Sequence, residues 1–447
     1  MSVEESDAAG LVYDGFDPKS WLGCGQPMED MCEGLRMSNL NAADLFCGAG
    51  GLSLGFEQAG FNVLFANDIN ANYAGTYQHN RPGTCFFTKS IEDLTAAEIF
   101  KTAGIGKKDV DVLIGGPPCQ GFSINAPERS LHDDRNRLFR EYGRLVLEGI
   151  RPKVIVMENV PGMVSLERGR VIRAIYELFE GAGYRMRHMI LCAAHYGVPQ
   201  ERWRLFFIGT ILKNVEITFP PPVYYAPVRA NFTGGRELTW LNFIRNGDGN
   251  PVFVGALNGT RPKFGGRRLT PFVTVRDAIG DLPQLSPNGG EDEMDYCQAP
   301  TTRYQRAMRG RARKLYNHQA GKLSPQNLER MKHIPPGGSW RDIPHDLLPK
   351  GMKRARRSDH TRRYGRVDPD GLSGTVLTKC DPHWGSFFHY DQERAITVRE
   401  AARIQSFPDS FRFYGSRVSQ YEQVGNAVPP LLARVLAEHI KRTLLEP

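Results

Sequence analysis

Over residues 41–211 the hydrophobic pattern alternates between two periods. Short apolar runs at 42–46, 63–66, 110–114 and 154–157 have the length and composition of buried strands. Between and after them, apolar residues recur at helical spacing at 52–59, 138–148 and 171–179, and a β-rich end follows at 189–192 and 205–209. Such alternation predicts βαβ units, hence an α/β fold with a mostly parallel sheet covered on both faces. From 212 to 391 both periods dissolve into basic sequence rich in Pro and Gly, which predicts a smaller, irregular or β-rich module of loops and short strands. Helical spacing returns at 397–405 (Val398, Ala401, Ala402, Ile404) and at 429–445. Residues 1–40 are acidic and show little periodicity, and read as an extension. The predicted divisions are therefore 1–40, 41–211, 212–391 and 392–447.

Composition removes several classes of protein. No run of about 18 apolar residues occurs, so no membrane-spanning helix is predicted. Residues 1–23 lack the apolar centre of a secretory signal, and the expected location is the cytoplasm. Eight cysteines are scattered with no C-x-x-C pair, which predicts neither a zinc site nor a disulfide framework and suits a reducing compartment. The net charge of +8 is uneven: residues 301–370 hold 18 Lys and Arg against 6 Asp and Glu, leaving the rest of the chain acidic. A stripe containing Arg303, Arg306, Arg309, Arg354, Arg356 and Arg357 meets the charge requirement of a polyanion binder, the alternative being a solvated face.

Five motifs carry candidate chemistry. Gly115-Gly116-Pro117-Pro118-Cys119-Gln120 puts a thiol in a rigid turn after an apolar strand, at the sheet edge where open α/β folds place ligands. Phe46-Cys47-Gly48-Ala49-Gly50-Gly51 is a glycine-rich passage from strand to helix, and glycines let a backbone close on a ligand at a helix N-terminus. Asp68 follows the second strand, where a carboxylate can bind ribose hydroxyls. Glu158 follows Val-Ile-Val-Met, where burial would raise its proton affinity and suit it to acid catalysis, while a turn-capping Glu is the plain alternative. Arg202 and Arg204, two apart in an extended stretch, are expected to point the same way and converge on one anionic or carbonyl-bearing partner. Residues 423–430 read as a turn that starts the last helix.

Taken in order, Phe46-x-Gly48-x-Gly50-Gly51, Pro117-Pro118-Cys119-Gln120, Glu158-Asn159-Val160, Gln200-x-Arg202-x-Arg204, the stretch from Arg399 to Pro408 and Gly425-Asn426-Ala427-Val428 resemble the C5-cytosine DNA methyltransferases of prokaryotic, restriction-modification or orphan type. The resemblance covers about 41–210 and 392–447 and implies a Rossmann-like methyltransferase domain that uses S-adenosylmethionine, with 212–391 in the place of the target-recognition domain. It implies that Cys119 attacks C6 of a flipped cytosine, that Glu158 holds N3, and that Arg204 with Arg202 steadies the O2 edge and the Glu158 carboxylate. Cofactor contacts are expected from Phe46, Gly48, Gly50, Gly51, Asp68, Ile91, Pro118, Leu138 and Asn426. Contacts to double-stranded DNA are expected from Gln120, Ser123 and Arg135 on the loop after the nucleophile, and from Arg354, Arg356 and Arg357. A monomer is expected, with a separate restriction endonuclease as a partner class. One departure stands out: Ser90 occupies the usual position of an Asp near the adenine, with Asp93 one turn on as a substitute. An RNA cytosine methyltransferase, a non-catalytic homologue and an unrelated nucleotide-binding enzyme stay open as alternatives.

Overall fold

A computed structural model describes residues 40–117, 137–164, 169–226, 228, 268–356, 362–380 and 383–446, and the backbone of four two-residue strands between 244 and 268. Its centre is a seven-stranded sheet: β1 (Asn41–Leu45), β2 (Asn62–Asn67), β3 (Cys85–Phe87), β4 (Val112–Gly115), β5 (Val154–Asn159), β6 (Arg185–Cys192) and β7 (Trp203–Thr210) in the order β3-β2-β1-β4-β5-β7-β6. All neighbours pair in parallel except β7, which runs antiparallel to both β5 and β6.

Period-two alternation explains how both faces are covered. Ala42, Val112, Ile114, Val154, Val156, Phe206 and Ile208 enter one apolar cluster, and Ala43, Leu113, Ile155, Met157, Leu205 and Phe207 enter the other. The first cluster takes in α1 (Gly51–Gln58) and the C-terminal helix Pro430–Ile440; the second takes in α3 (Ala96–Ala103) and α5 (Arg170–Glu180). It also takes in α4 (Arg137–Arg144), whose side chains are described from Leu138 on, and the widened helical turn Leu145–Ile150 that extends it. Contact between α1 and the C-terminal helix is so close that a Cβ on Gly55 would lie 2.3 Å from that of Ala433.

The predicted strands and helices of 41–211 are present, several with shifted ends. Three further elements carry weak signals: β3 has three residues, α2 (Ala71–Asn80) buries Tyr73, Ala74, Thr76 and Tyr77 rather than aliphatic residues, and α3 fully buries Ile99 alone.

Residues 212–391 contain more helix than predicted. Val275–Ile279 and Arg303–Arg309 each begin in a capping box (Thr274 with Asp277, Thr302 with Gln305), and Ser324 caps Pro325–Lys332. Part of this stretch packs into the main core through Val275, Ile279, Tyr304, Leu315, Val367, Val376 and Phe387. A separate small core gathers Met331, Ile334, Trp340, Ile343, Met352, Tyr364 and Phe388.

Between these regions lies Val398–Ile404, a helix with every residue buried. Arg403 bonds Asp281 at 2.7 Å and Asp409 at 2.7 Å, and Arg394 bonds Glu400 at 2.6 Å. Arg399 reaches the carbonyls of Tyr316 and Phe411. These buried charges are tolerated because each is paired or saturated with hydrogen bonds. Burial alone would raise the Asp409 carboxyl, but the Arg403 guanidinium outweighs it and holds the group below the usual range.

Candidate active site

Four strand ends meet at the carboxyl edge of the sheet: those of β1, β2, β4 and β5. Because β7 is antiparallel to β5, its first residues arrive at the same edge, with Asn159 opposite Leu205. Sheet order changes direction at the β1/β4 pair, where ligand crevices form in open α/β sheets.

After β1 the chain turns through Phe46 at φ 57° and Gly48 at φ 55°. Asp68 braces this turn: its carboxylate accepts from Gly48 N at 2.9 Å and from Asn70 N at 2.9 Å. Burial pushes the Asp68 carboxyl upward in pKa, and the two backbone donors oppose that. The three glycines divide by environment. A Cβ on Gly48 would have nothing nearer than Tyr73 at 4.0 Å, so this residue faces open space. A Cβ on Gly50 would meet Arg81 and Tyr77 at 2.7 Å, and one on Gly51 would meet the Val428 carbonyl at 2.3 Å. Gly50 and Gly51 are thus required by packing, whatever their backbones offer a ligand, while Gly48 alone of the three borders open space.

Beneath the turn lies a polar cluster that the sequence reading missed. Ser53 Oγ bonds Asp44 at 2.5 Å and Tyr77 OH at 2.8 Å, while Arg81 donates to the Gly50 carbonyl at 2.9 Å and to Glu57 at 2.8 Å. Burial raises the Asp44 carboxyl to about 7. An ionisable residue in the apolar β1 run was the available signal. Ile69, 70 % exposed directly after Asp68, was also overlooked.

Where the resemblance puts an Asp in the family pattern, the Ser90 hydroxyl accepts from Glu92 N and caps the turn Ile91–Asp93. Ile91 and Leu138 both belong to the apolar cluster beside that turn, Ile91 being buried. The Asp93 side chain is exposed. Asn426 ends the helix Arg417–Asn426, an element absent from the sequence reading, and donates to Tyr73 OH at 2.9 Å.

On the other side of the crevice, β4 leads into Gly115-Gly116-Pro117. A Cβ on Gly116 would lie 3.3 Å from Glu158 Oε2, so the Glu158 carboxyl faces the backbone that leads to Cys119. Asn159 Nδ2 holds the Pro117 carbonyl at 3.0 Å, and Arg204 Nε pairs with Glu158 Oε1 at 2.8 Å. Burial lowers the Arg204 pKa, and Glu158 works in the opposite direction.

Arg202 departs from expectation. It lies 1 % exposed and donates to the Gly425 carbonyl at 2.9 Å and, at 3.4 Å, to that of Val376. The two guanidinium groups therefore do not share a hydrogen-bond partner: Arg204 pairs with Glu158, and Arg202 joins the carbonyls of Gly425 and Val376. Gln200 does similar work, donating to Gln405 at 2.7 Å and accepting from Val376 N at 2.9 Å. Pro118, Cys119, Gln120, Ser123, Arg135 and Arg357 lie outside the described residues. Arg354 and Arg356 are described and exposed.

The C-5 cytosine-specific DNA methylase family model matches residues 40–442. The Type II methyltransferase M.AgeI of Thalassovita gelatinovora is 35% identical over 90% of this chain and 99% of its own length. The Type II methyltransferase M1.HphI of Haemophilus parahaemolyticus is 36% identical over 90% of this chain and 87% of its own. Among solved structures, an E. coli prophage-encoded protein described as a DNA modification methyltransferase superposes with a TM-score of 0.64 at 25% identity, covering 91% of this chain and 99% of that one. The chain belongs to the C-5 cytosine-specific DNA methylases. It is therefore an S-adenosylmethionine-dependent DNA cytosine-5 methyltransferase of the type found in restriction-modification systems.

Proposed function

We propose that this enzyme methylates a cytosine rotated out of a specific duplex site, through a transient bond from Cys119 Sγ to C6. The observation that carries this reading is the Glu158 carboxyl, paired with Arg204 and set against Gly116, which precedes Cys119 by three residues in the sequence. Cytosine C5 is a poor nucleophile until C6 is attacked. Glu158 donates a proton to N3 as the thiolate adds, which turns the ring into an enamine with a nucleophilic C5. Arg204 orients Glu158 and the O2 edge. With S-adenosylmethionine bound, C5 would take its methyl group and leave the thioether; loss of the C5 proton to water, expulsion of the Cys119 thiolate and return of the N3 proton to Glu158 then release 5-methylcytosine. Flipping costs a few kcal/mol, repaid by contacts in the pocket.

The crevice suits S-adenosylmethionine: Gly48 offers backbone next to open space, Asp68 a braced carboxylate for ribose hydroxyls, Ile69 an exposed apolar face, and Asn426 a polar end. When bound, the cofactor supplies an electrophilic methyl group. Phe46, Ile91 and Leu138 border the adenine side, where Ser90 gives no carboxylate. Pro118 belongs to the same set of contacts. Residues 212–391 serve as the target-recognition module, Gln120, Ser123 and Arg135 contact DNA from the loop after the nucleophile, and Arg357 extends the basic stripe. The enzyme acts as a monomer in a prokaryotic cytoplasm, with an endonuclease of matching specificity acting separately.

Duplex DNA carrying 5-fluorocytosine at the target tests the reaction, because fluorine cannot leave as a proton does. A stable protein–DNA adduct is expected with wild type and none with Cys119→Ala, which should still bind cofactor. Glu158→Gln should lower kcat by about a hundredfold or more. Turnover by Cys119→Ala would refute the covalent route.

A further inference from the structure

Among the described residues, four large hydrophobic side chains are exposed by more than a third: Ile69, Leu377, Trp384 and Val418. Ile69 borders Asp68, but Leu377 and Trp384 belong to no site so far assigned. They are neighbours, since a Cβ on Gly385 would lie 3.4 Å from Leu377 Cδ1. An indole left 55 % exposed forgoes most of the burial that ordinarily repays its size.

Yet Trp384 is held in place. The Arg363 guanidinium lies 5.0 Å from the ring centroid, and His383 meets the ring edge-on at 5.1 Å and 87°. His383 itself stands edge-on to Tyr364 at 5.8 Å. Tyr364 is anchored in the small core of the recognition module and has φ 49°, a conformation rare for a bulky residue. That backbone turn lets Tyr364 point into the core while Arg363, one residue earlier, covers the indole. Gly365 pairs with Ser386, fixing both ends of the arrangement. Strain and clamping around an exposed aromatic are typical of ligand-gripping surfaces.

The patch also borders the catalytic crevice. The Leu377 carbonyl would lie 2.4 Å from a Cβ on Gly425, whose own carbonyl receives Arg202 and which precedes Asn426. Lys379 is exposed along the same stretch and offers a positive charge to a polyanion, whereas Arg362 is paired with Glu201.

We propose that Trp384 is a specificity-determining residue that lays its clamped ring against a base of the recognition site, while the exposed Lys379 meets a phosphate. An uncharged indole has little to offer a phosphate, whereas every base has an apolar face or edge. The clamp lowers the entropy lost on contact. This inference rests on duplex DNA being the substrate and is independent of the Cys119 chemistry.

The test is binding of the full chain to its cognate duplex and to a scrambled duplex, measured by fluorescence anisotropy over a range of salt, once bisulfite sequencing has located the methylated site. Trp384→Ala should lower the cognate-to-scrambled affinity ratio about tenfold, with an unchanged salt slope and normal cofactor binding. Trp384→Phe, which keeps a smaller aromatic face, should lower the ratio about threefold. If the alanine variant loses cofactor binding, the phenylalanine variant is decisive, with a fall of about threefold expected and no fall counting against the assignment. A wild-type ratio in Trp384→Ala, or equal loss on both duplexes, overturns it. Failure of the wild type to methylate any duplex would instead remove the functional reading, and shows in the sequencing alone.

Discussion

Asp44 shows how a single buried group links cofactor loop and stability. Its carboxyl has a pKa of about 7 because burial disfavours the charge, against donors from Ser53 and the nearby Arg81. The folded value exceeds the ordinary 3.8, so the stability due to this group is complete below about pH 4 and disappears as pH rises through 7. Asp44→Asn should therefore gain on wild type by about 2–4 kcal/mol between pH 5 and pH 8 in urea unfolding; a pH-independent difference would show that Asp44 stays charged. The same residue illustrates the reach of the sequence. Glu158 and Arg204 could be picked out because each breaks an apolar strand, and the structure pairs them at 2.8 Å. Arg202 broke the pattern equally, but its partners are the carbonyls of Gly425 and Val376, far along the chain, and no local pattern reveals a tertiary acceptor.

At the scale of elements, close approach decides which glycines can be replaced. Gly55→Ala should cost about 1–3 kcal/mol by forcing α1 off the C-terminal helix. Gly75→Ala in α2, with nothing within 4 Å of its Cβ position, should stabilise by about 0.5–1 kcal/mol through helix propensity alone; thermal unfolding distinguishes the two. In Val398–Ile404, Arg403→Met would strip Asp281 of its guanidinium and leave Asp409 with only the Tyr296 hydroxyl and Arg399 at 3.9 Å, and should cost about 3–5 kcal/mol. A loss below 1 kcal/mol in denaturant would mean that water reaches them. Strands of the sheet were legible because their apolar runs are buried on both faces, and Val398–Ile404 because its apolar positions kept helical spacing. The helices Val275–Ile279 and Arg303–Arg309 were not, being five and seven residues long. Their capping boxes were the readable sign, lost among Pro and Gly. Helix Arg417–Asn426 hid behind a mostly polar sequence and a glycine near its end.

For the whole molecule, charge asymmetry sets how DNA is approached. The basic stripe is not uniformly free: Arg306 and Arg309 bond the Thr301 and Gln298 carbonyls, and Arg362 pairs with Glu201 at 2.6 Å. Arg354 and Arg356 are both exposed on this stripe and are candidates for phosphate contact. Reversing both charges should reduce the slope of log K against log salt by about one per arginine. An unaltered slope would place them away from the duplex. The packing of α1 on Pro430–Ile440 has a further consequence, for synthesis on the ribosome. β1 and the turn after it are made long before the segment they pack against, and Gly51 and Gly55 lack these contacts until Val428 and Ala433 have been translated. A nascent chain therefore cannot close this face of its sheet until the helix Pro430–Ile440 has left the ribosome, about 380 residues after α1.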